Sequence, residues 1–108
     1  MFFMSHSLIL GGTKGLGLAL VQESAARGIQ PIATGRSADD PNIGASLPQN
    51  AIRVVMDLTD DESINKALSA LEQYKIDYFF WNAGTWPGRK LFRELSLILG
   101  SLLARFCR

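Results

Sequence analysis

The sequence has little cysteine, no excess of charge of either sign and no long hydrophobic run. Its single cysteine, Cys107, has no partner in the chain, so an internal disulfide framework is excluded and a reducing, cytoplasmic environment is expected. Its eleven Lys and Arg residues are scattered among ten acidic residues instead of forming a basic stripe, so nucleic acid is not expected as a partner. The apolar tail "LSLILGSLLA" has ten residues, fewer than the ~18 to 20 that span a bilayer as a helix, so no membrane partner is expected.

What remains is the composition of one soluble globular domain. Hydrophobic residues make up 47% and charged residues 19% of the 108 positions. The opening "MFFMSHSLIL" is apolar, but it has neither a basic N-terminal region nor a small-residue cleavage site. This favours a first strand over a signal peptide.

Strand and helix signals alternate along the chain. Strands are predicted at "SHSLILGG", "QPIATG", "IRVVMDL" and "IDYFFWNAG", the third of them buried on both faces. A helix is predicted over residues 14–27, ending at Gly28, with its apolar face formed by Leu18, Val21 and Ala25 and, beside them, Leu16 and Leu20. Residues 36–51 contain two prolines, so only a short helix is expected there.

A further helix is predicted after Thr59, where Thr59 and Glu62 have the spacing of a capping box. Its apolar residues at helical spacing are Ile64, Ala67, Leu68 and Leu71. The order of elements predicts a doubly wound α/β fold, a Rossmann-like parallel sheet with helices on both faces, because parallel neighbours need crossover connections.

Only four strands are predicted, where a dinucleotide-binding sheet commonly has six. The chain is therefore interpreted as a single domain over residues 1–108 that is truncated on its C-terminal side. A last helix over residues 90–106 carries an apolar stripe of Leu91, Leu95, Ile98, Leu102 and Phe106. Two interpretations of the stripe stay open: an ordinary core-facing helix, which is favoured, or a helix that covers the surface exposed by the missing strands, in a homo-oligomer formed through the exposed sheet edge or this helix.

The stretch "ILGGTKGLG" places four glycines in seven positions at a predicted strand-to-helix turn. Glycine is unfavourable inside a helix or strand by roughly 1 kcal/mol relative to alanine, so the cluster indicates a tight turn or a close approach of the backbone to a ligand. Such a turn presents backbone N–H groups and the positive end of a helix, which suits a pyrophosphate. Gly11 is expected to allow the turn, and Gly15 and Gly17 to let the backbone approach the cofactor and the helix pack on its strand. A purely structural turn is the alternative.

The spacing Gly11-xxx-Gly15-x-Gly17 differs from the G-x-G-x-x-G fingerprint and resembles the glycine motif of the short-chain dehydrogenase/reductase family. Leu10 stands where that family usually has threonine. Two further stretches carry the resemblance, each at the carboxyl end of a predicted strand. Asp57-Leu58 resembles the family's pair of aspartate and a hydrophobic residue, and Trp81-Asn82-Ala83-Gly84 resembles N-N-A-G with tryptophan as its first residue. The resemblance spans residues 7 to about 85.

The resemblance implies a nicotinamide dinucleotide cofactor held by residues of these motifs, namely Gly11, Thr13, Lys14, Gly15, Leu16, Gly17, Asp57, Leu58, Asn82, Ala83 and Gly84. It places the Asp57 carboxylate at the adenine ring. The alternative for Asp57 is an acid that helps to cap the following helix, and the alternative for Asn82 is a turn that ends a strand.

The residue after the second strand bears on the choice between NAD and NADP. An acid there would bind the ribose hydroxyls of NAD, whereas a basic group accommodates the 2′-phosphate of NADP. This chain has Arg36 at that place, and Lys14 in the glycine turn is a second cation, so NADP is predicted in preference to NAD. The alternative for Arg36 is a solvated loop arginine.

The catalytic residues of the family have no counterpart in this sequence. The family uses a serine, a Tyr-x-x-x-Lys pair and a helper asparagine, whereas here Tyr74 is followed four residues later by Tyr78, and Tyr78 by Asn82. No catalytic residue and no metal site is predicted. Three functions stay open: the cofactor-binding portion of an oxidoreductase of this family, a non-catalytic nucleotide-binding module, and an interaction fragment that binds no nucleotide.

Overall fold

The computed structural model describes residues 5–82, which form a parallel sheet with helices packed on it. In chain order the elements are β1 (His6–Leu10), α1 (Gly15–Ala26), β2 (Gln30–Gly35), α2 (Pro41–Gly44), β3 (Ile52–Val55), α3 (Asp61–Leu71) and β4 (Ile76–Trp81). Ala83, Gly84 and the helix predicted over residues 90–106 lie outside the described residues. Among the helices of the described range, none is long and apolar enough to cross a membrane.

The strand order of the sheet creates a switch point between β1 and β4. The strands lie in the order β3-β2-β1-β4, and neighbouring strands are parallel. The chain thus builds outward from β1 to β3 and then crosses to the other side of β1 to form β4. In open α/β sheets, ligands bind outside the carboxyl ends of the strands at such a reversal.

Two apolar clusters cover opposite faces of the sheet. On one face the strand residues Leu8, Leu10 and Ile32 pack against the buried residues of α3, which are Ile64, Ala67, Leu68 and Leu71. On the other face Ile9 and Ala33 pack with Val21 of α1. The doubly wound α/β fold predicted from the sequence is confirmed, as is the apolar face of α3.

The helix α1 ends where the sequence predicts. Gly28 has φ 77°, its N–H donates to the carbonyl of Ala25, and the N–H of Ile29 donates to the carbonyl of Ser24 at 2.9 Å. This is the Schellman arrangement, in which glycine adopts the left-handed conformation just past the helix. The prediction that Leu16 lies beside the buried stripe is wrong. Its side chain is 68% exposed, because Gly17 is the buried residue of this turn of α1.

The third strand is shorter and more exposed than its sequence indicates. The prediction of a strand over residues 52–58 that is buried on both faces is wrong, since β3 ends at Val55 and alternates in burial. Val54 is buried, whereas Arg53 and Val55 are exposed. The physical reason is the position of β3 at the edge of the sheet, where α3 covers one face while α1 packs against β1 and β2.

The capping box predicted for α3 is also wrong. The cap is Asp60, whose side chain accepts a hydrogen bond from the N–H of Glu62 at 3.0 Å. The hydroxyl of Thr59 instead donates to Oδ1 of Asp57 at 2.7 Å, so it is engaged outside the helix. A carboxylate at the cap both accepts from the first turn and interacts favourably with the positive end of the helix.

Candidate functional site

The turn after β1 delivers the start of α1 to the carboxyl edge of the sheet. Gly11 has φ 77°, a left-handed conformation that glycine adopts without steric cost. Lys14, the N-cap residue of α1, makes no side-chain hydrogen bond to the helix, and no acidic residue lies in the first turn. The positive end of α1 is therefore not neutralised by a capping carboxylate, which leaves its first N–H groups suited to an anion.

Gly15 and Gly17 are required for different reasons. Gly15 has φ 58°, a backbone conformation that favours glycine, and a Cβ built on it would meet no atom of residues 5–82 within 4 Å, so the described residues leave the space beside it open. At Gly17 a Cβ would collide with the carbonyl oxygen of Gly11 and would lie 2.7 Å from Nδ2 of Asn82. Gly17 therefore lets α1 pack on the turn, and Gly15 leaves the backbone open to a ligand.

Asn82 joins β4 to the glycine turn across the switch point. Its backbone N–H donates to the carbonyl of Leu10 at 3.1 Å, and its Nδ2 donates to the carbonyl of Gly11 at 3.4 Å. These contacts link residues that are far apart in the sequence. Asn82 thus does more than end a strand, because it holds the turn beside β4.

Two residues at the end of β2, which the sequence motifs do not include, hold the turn from the other side. Oγ1 of Thr34 accepts the N–H of Gly11 at 3.4 Å and donates to the carbonyl of Ile9 at 3.3 Å. A Cβ on Gly35 would lie 3.0 Å from both Oγ1 and Cγ2 of Thr13, so the Thr13 side chain packs closely over this glycine. The signal available in the sequence was the "TG" pair that closes an otherwise apolar strand.

Arg36 follows β2 directly and is exposed at the same edge of the sheet. Lys14 is exposed as well, and neither residue belongs to an ion pair within residues 5–82. In the part of the chain that the structure describes, neither cation therefore lies within salt-bridge distance of an acid.

Asp57 lies just beyond β3, and Thr59 holds its carboxylate. Oδ1 accepts the hydroxyl of Thr59 at 2.7 Å and the N–H of Thr59 at 2.9 Å. These two hydrogen bonds, with a smaller contribution from the charge of Arg36, keep the pKa of Asp57 below its ordinary value because they favour the ionised form. Asp57 does not cap α3, since Asp60 does. Leu58 packs against the apolar cluster beneath α3.

The residues predicted for the site thus fall into three groups. The structure brings to the carboxyl edge Gly11, Thr13, Lys14, Gly15, Leu16, Gly17, Arg36, Asp57 and Asn82. Leu58 follows Asp57 there, with its side chain packed against the core. Ala83 and Gly84 lie outside the described residues.

The parallel sheet, its switch point and the glycine turn define a Rossmann-type α/β protein. The sequence matches the short chain dehydrogenase family over residues 5–98, and the chain belongs to that family. This confirms the resemblance carried by the three motifs. Members of the family are oxidoreductases that use a nicotinamide dinucleotide.

Two relatives show how much of such a protein the chain represents. It is 33% identical over 85 residues to the 3-oxoacyl-[acyl-carrier-protein] reductase MabA of Mycobacterium tuberculosis (strain ATCC 25618 / H37Rv), covering 76% of this chain and 32% of MabA. It is 35% identical over 99 residues to the 3-oxoacyl-[acyl-carrier-protein] reductase FabG of Aquifex aeolicus (strain VF5), covering 85% of this chain and 40% of FabG. The chain therefore spans well under half of the length of these relatives.

Solved structures share the fold. A short chain dehydrogenase/reductase family protein superposes with a TM-score of 0.67 at 26% identity, covering 94% of this chain and 47% of that protein. Serine dehydrogenase from Escherichia coli superposes with a TM-score of 0.70 at 22% identity, covering 93% of this chain and 56% of that protein. The second likeness concerns the fold alone.

Proposed function

We propose that this chain is the NADP(H)-binding portion of a short-chain dehydrogenase/reductase-type oxidoreductase. The observation that carries the proposal is the start of α1, where the N-cap residue Lys14 makes no side-chain hydrogen bond to the helix and a Cβ on Gly15 would meet no described atom within 4 Å. Backbone N–H groups and the positive end of a helix suit the pyrophosphate of a dinucleotide. The residues that we assign to this phosphate turn are Gly11, Thr13, Lys14, Gly15, Leu16 and Gly17.

The adenosine end of the cofactor is assigned to the ends of β2 and β3. The exposed guanidinium of Arg36 stands where an acid would favour NAD, and a guanidinium forms charge-assisted, bidentate hydrogen bonds to phosphate. Lys14 adds a second exposed cation at this edge. Both support NADP over NAD. We assign the adenine ring to Asp57 with Leu58, and the continuation of the site beyond β4 to Asn82, Ala83 and Gly84.

Binding without turnover is the behaviour that we propose for the 108 residues alone. The bound cofactor supplies a hydride from its nicotinamide ring. The family moves the accompanying proton with a Tyr-x-x-x-Lys pair, which this sequence does not contain. Positioned acid catalysis of that kind is worth about 10² to 10⁴ in rate. The missing pair also favours the second candidate, a non-catalytic nucleotide-binding module.

Domain extent, location and self-association belong to the same proposal. We assign residues 1–108 to one cofactor-binding domain of a cytoplasmic protein. Self-association would use the edge of β4, where Tyr78 is 48% exposed, or the predicted helix over residues 90–106.

The similarity to the reductases named above supports a reaction class, hydride transfer, and leaves the substrate open, because the chain matches well under half of their length.

A titration of the purified chain with NADPH and with NADH tests the proposal. We expect saturable binding of NADPH that is tighter than that of NADH, and no oxidation of NADPH in the presence of aldehydes, ketones or quinones. A folded chain that binds neither dinucleotide would be an interaction fragment. Steady turnover that disappears in Gly15→Val would instead show that the chain is an enzyme with a different proton donor.

A further inference from the structure

We propose that Thr59 is a positioning residue of the nucleotide site, holding the Asp57 carboxylate so that its Oδ2 accepts a hydrogen bond from the exocyclic amino group of an adenine. This inference rests on the proposed function and concerns how the same site selects the base. None of the three sequence motifs includes Thr59.

The geometry of the pair supports a positioning role. The hydroxyl and the N–H of Thr59 both donate to the same oxygen, Oδ1, at 2.7 and 2.9 Å. Two donors from one neighbouring residue fix the rotation of the carboxylate about its side-chain bonds. Within residues 5–82, Oδ2 accepts no hydrogen bond, and Asp57 is only partly buried, so Oδ2 can accept from a donor on a ligand.

The backbone of Asp57 is fixed independently of Thr59's side chain. Its N–H donates to Oγ of Ser63 at 2.8 Å, and its carbonyl accepts the N–H of Asp60 at 3.0 Å. Just before it, the N–H of Met56 donates to the carbonyl of Gly35, which places Asp57 beside the end of β2. With the backbone held on both sides, the remaining freedom lies in the side chain of Asp57, which Thr59 restrains.

The chemistry of a carboxylate determines which base it can select. An ionised carboxylate only accepts hydrogen bonds, so the edge of the base that faces it must carry a donor. Adenine presents an amino group, whereas hypoxanthine presents a carbonyl oxygen at the same ring position. Thr59 contributes to this selection by orienting the carboxylate, since both of its hydrogen bonds go to Oδ1 and leave Oδ2 for the base.

The test compares two variants against two ligands. Thr59→Val removes the hydroxyl donor at nearly constant shape, Thr59→Ser keeps it, and the ligands are NADPH and its analogue with hypoxanthine in place of adenine. We expect Thr59→Val to weaken NADPH binding about fivefold, the loss of roughly one hydrogen bond, without changing the affinity for the analogue. Thr59→Ser is expected to keep the affinity of the unmodified chain.

A matched control separates positioning from a general loosening of this turn. Asp60→Ala removes the cap of α3 and leaves both Thr59 hydrogen bonds in place, so it should lower the melting temperature without changing the ratio of the two affinities. A Thr59→Val chain in which both affinities fall by the same factor, or neither falls, would overturn the inference while leaving the proposed function intact. Absence of NADPH binding in the unmodified chain would overturn both.

A second readout needs no ligand. In an NMR titration of the Asp57 carboxyl carbon, we expect a higher pKa in Thr59→Val than in the unmodified chain, because the valine side chain cannot donate to the ionised carboxylate and only the backbone N–H still does. Arg36 retains its smaller lowering effect on the same pKa, and Asp60, the nearest acid in the sequence, keeps its contact with the N–H of Glu62. Thr59→Ser should keep the low pKa. Equal pKa values in all three chains would refute the positioning role.

Discussion

The side of the sheet at which the parallel strands begin, the amino edge, and the side at which they end, the carboxyl edge, differ in the partners of their polar side chains. At the amino edge, the N–H of His6 donates to Oδ2 of Asp77 at 3.1 Å, and Nδ1 of the His6 ring lies 3.1 Å from the carbonyl oxygen of Lys75. The ring of Tyr74 packs against that of His6 with 5.3 Å between their centres. At the carboxyl edge, by contrast, Arg36 belongs to no ion pair within residues 5–82.

This difference distinguishes polar residues that hold the fold from polar residues that are open to a ligand. Polar groups with a structural role are usually satisfied within the protein, as the His6 N–H is by Oδ2 of Asp77. At the carboxyl edge, Thr34 accepts the N–H of Gly11 and Asn82 donates to the Gly11 carbonyl. Oδ2 of Asp57, by contrast, accepts no hydrogen bond from the described residues. The two edges differ in the glycine turn and in the partners of their polar side chains, and we propose that the carboxyl edge is the one that binds a ligand.

The largest effect is expected at Gly17, where the fold and the site depend on the same contact. A valine side chain there would displace the carbonyl of Gly11 and Nδ2 of Asn82, and overpacking of this kind costs about 1 to 3 kcal/mol. We expect the stability loss of Gly17→Val to lie near the upper limit of this range, because the atom that must move belongs to the backbone. The variant should also lose NADPH binding. Urea unfolding measures the first effect. An unchanged unfolding midpoint would show that α1 does not pack on the turn as described.

Gly15→Val is expected to separate binding from folding. Gly15 and Gly28 lie at opposite ends of α1 and have φ 58° and 77°. A Cβ added to either would meet no atom of the described residues 5–82 within 4 Å. Valine at either position should cost about 1 to 2 kcal/mol of stability through the left-handed backbone. Only Gly15→Val should abolish NADPH binding in the folded chain, with Gly28→Val as its control. Equal affinities in the two variants would rule out the phosphate turn.

Arg36→Ala is expected to change the choice of cofactor without changing the fold. A charge-assisted hydrogen bond contributes about 1.5 to 3 kcal/mol, so the ratio of NADPH to NADH affinity should fall about 10- to 100-fold. Arg53→Ala serves as a control, because Arg53 is an exposed arginine on the neighbouring strand β3. A ratio that stays constant in Arg36→Ala, or falls equally in Arg53→Ala, would contradict the assignment of the 2′-phosphate to Arg36.

The sequence predicted best those features that depend on neighbouring residues. β2 has its predicted bounds, Gln30–Gly35, and α1 ends before Gly28, because apolar spacing and a C-terminal glycine act locally. The exposure of β3 could not be predicted in the same way. An apolar run such as "IRVV" does not show which strand lies at the edge of the sheet, since that depends on the order of strands far apart in the chain.

Prediction of the candidate site from the sequence was limited in the same way, because only its local features could be recognised. The spacing of Gly11, Gly15 and Gly17 predicted a strand-to-helix turn because glycine meets a local backbone requirement. The capping box failed because the N–H of Glu62 donates to the Asp60 carboxylate and not to the Thr59 hydroxyl. The sequence does not show which of these two adjacent side chains accepts that hydrogen bond. The role of Thr34 could not be predicted, because its hydrogen bond with Gly11 joins the end of β2 to the turn after β1, and these residues are far apart in the sequence.

The smallest effect is expected at the amino edge, from Asp77→Ala. The pairing of β1 with β4 shifts register between His6 and Ser7, which leaves Asp77 as an extra residue of β4. Its carboxylate accepts a hydrogen bond from the His6 N–H at that irregularity. Loss of this exposed hydrogen bond should cost about 0.5 to 1 kcal/mol, because water can replace the acceptor.

Asp77→Asn keeps an acceptor oxygen and should restore most of that stability, while the affinity for NADPH should be the same in both variants and in the unmodified chain. Urea unfolding and a NADPH titration of each variant measure the two quantities. A loss of NADPH affinity in Asp77→Ala beyond the small loss of stability would mean that the amino edge influences the site through β1 or β4. The distinction between an amino edge that stabilises the fold and a carboxyl edge that we propose binds the cofactor would then be wrong.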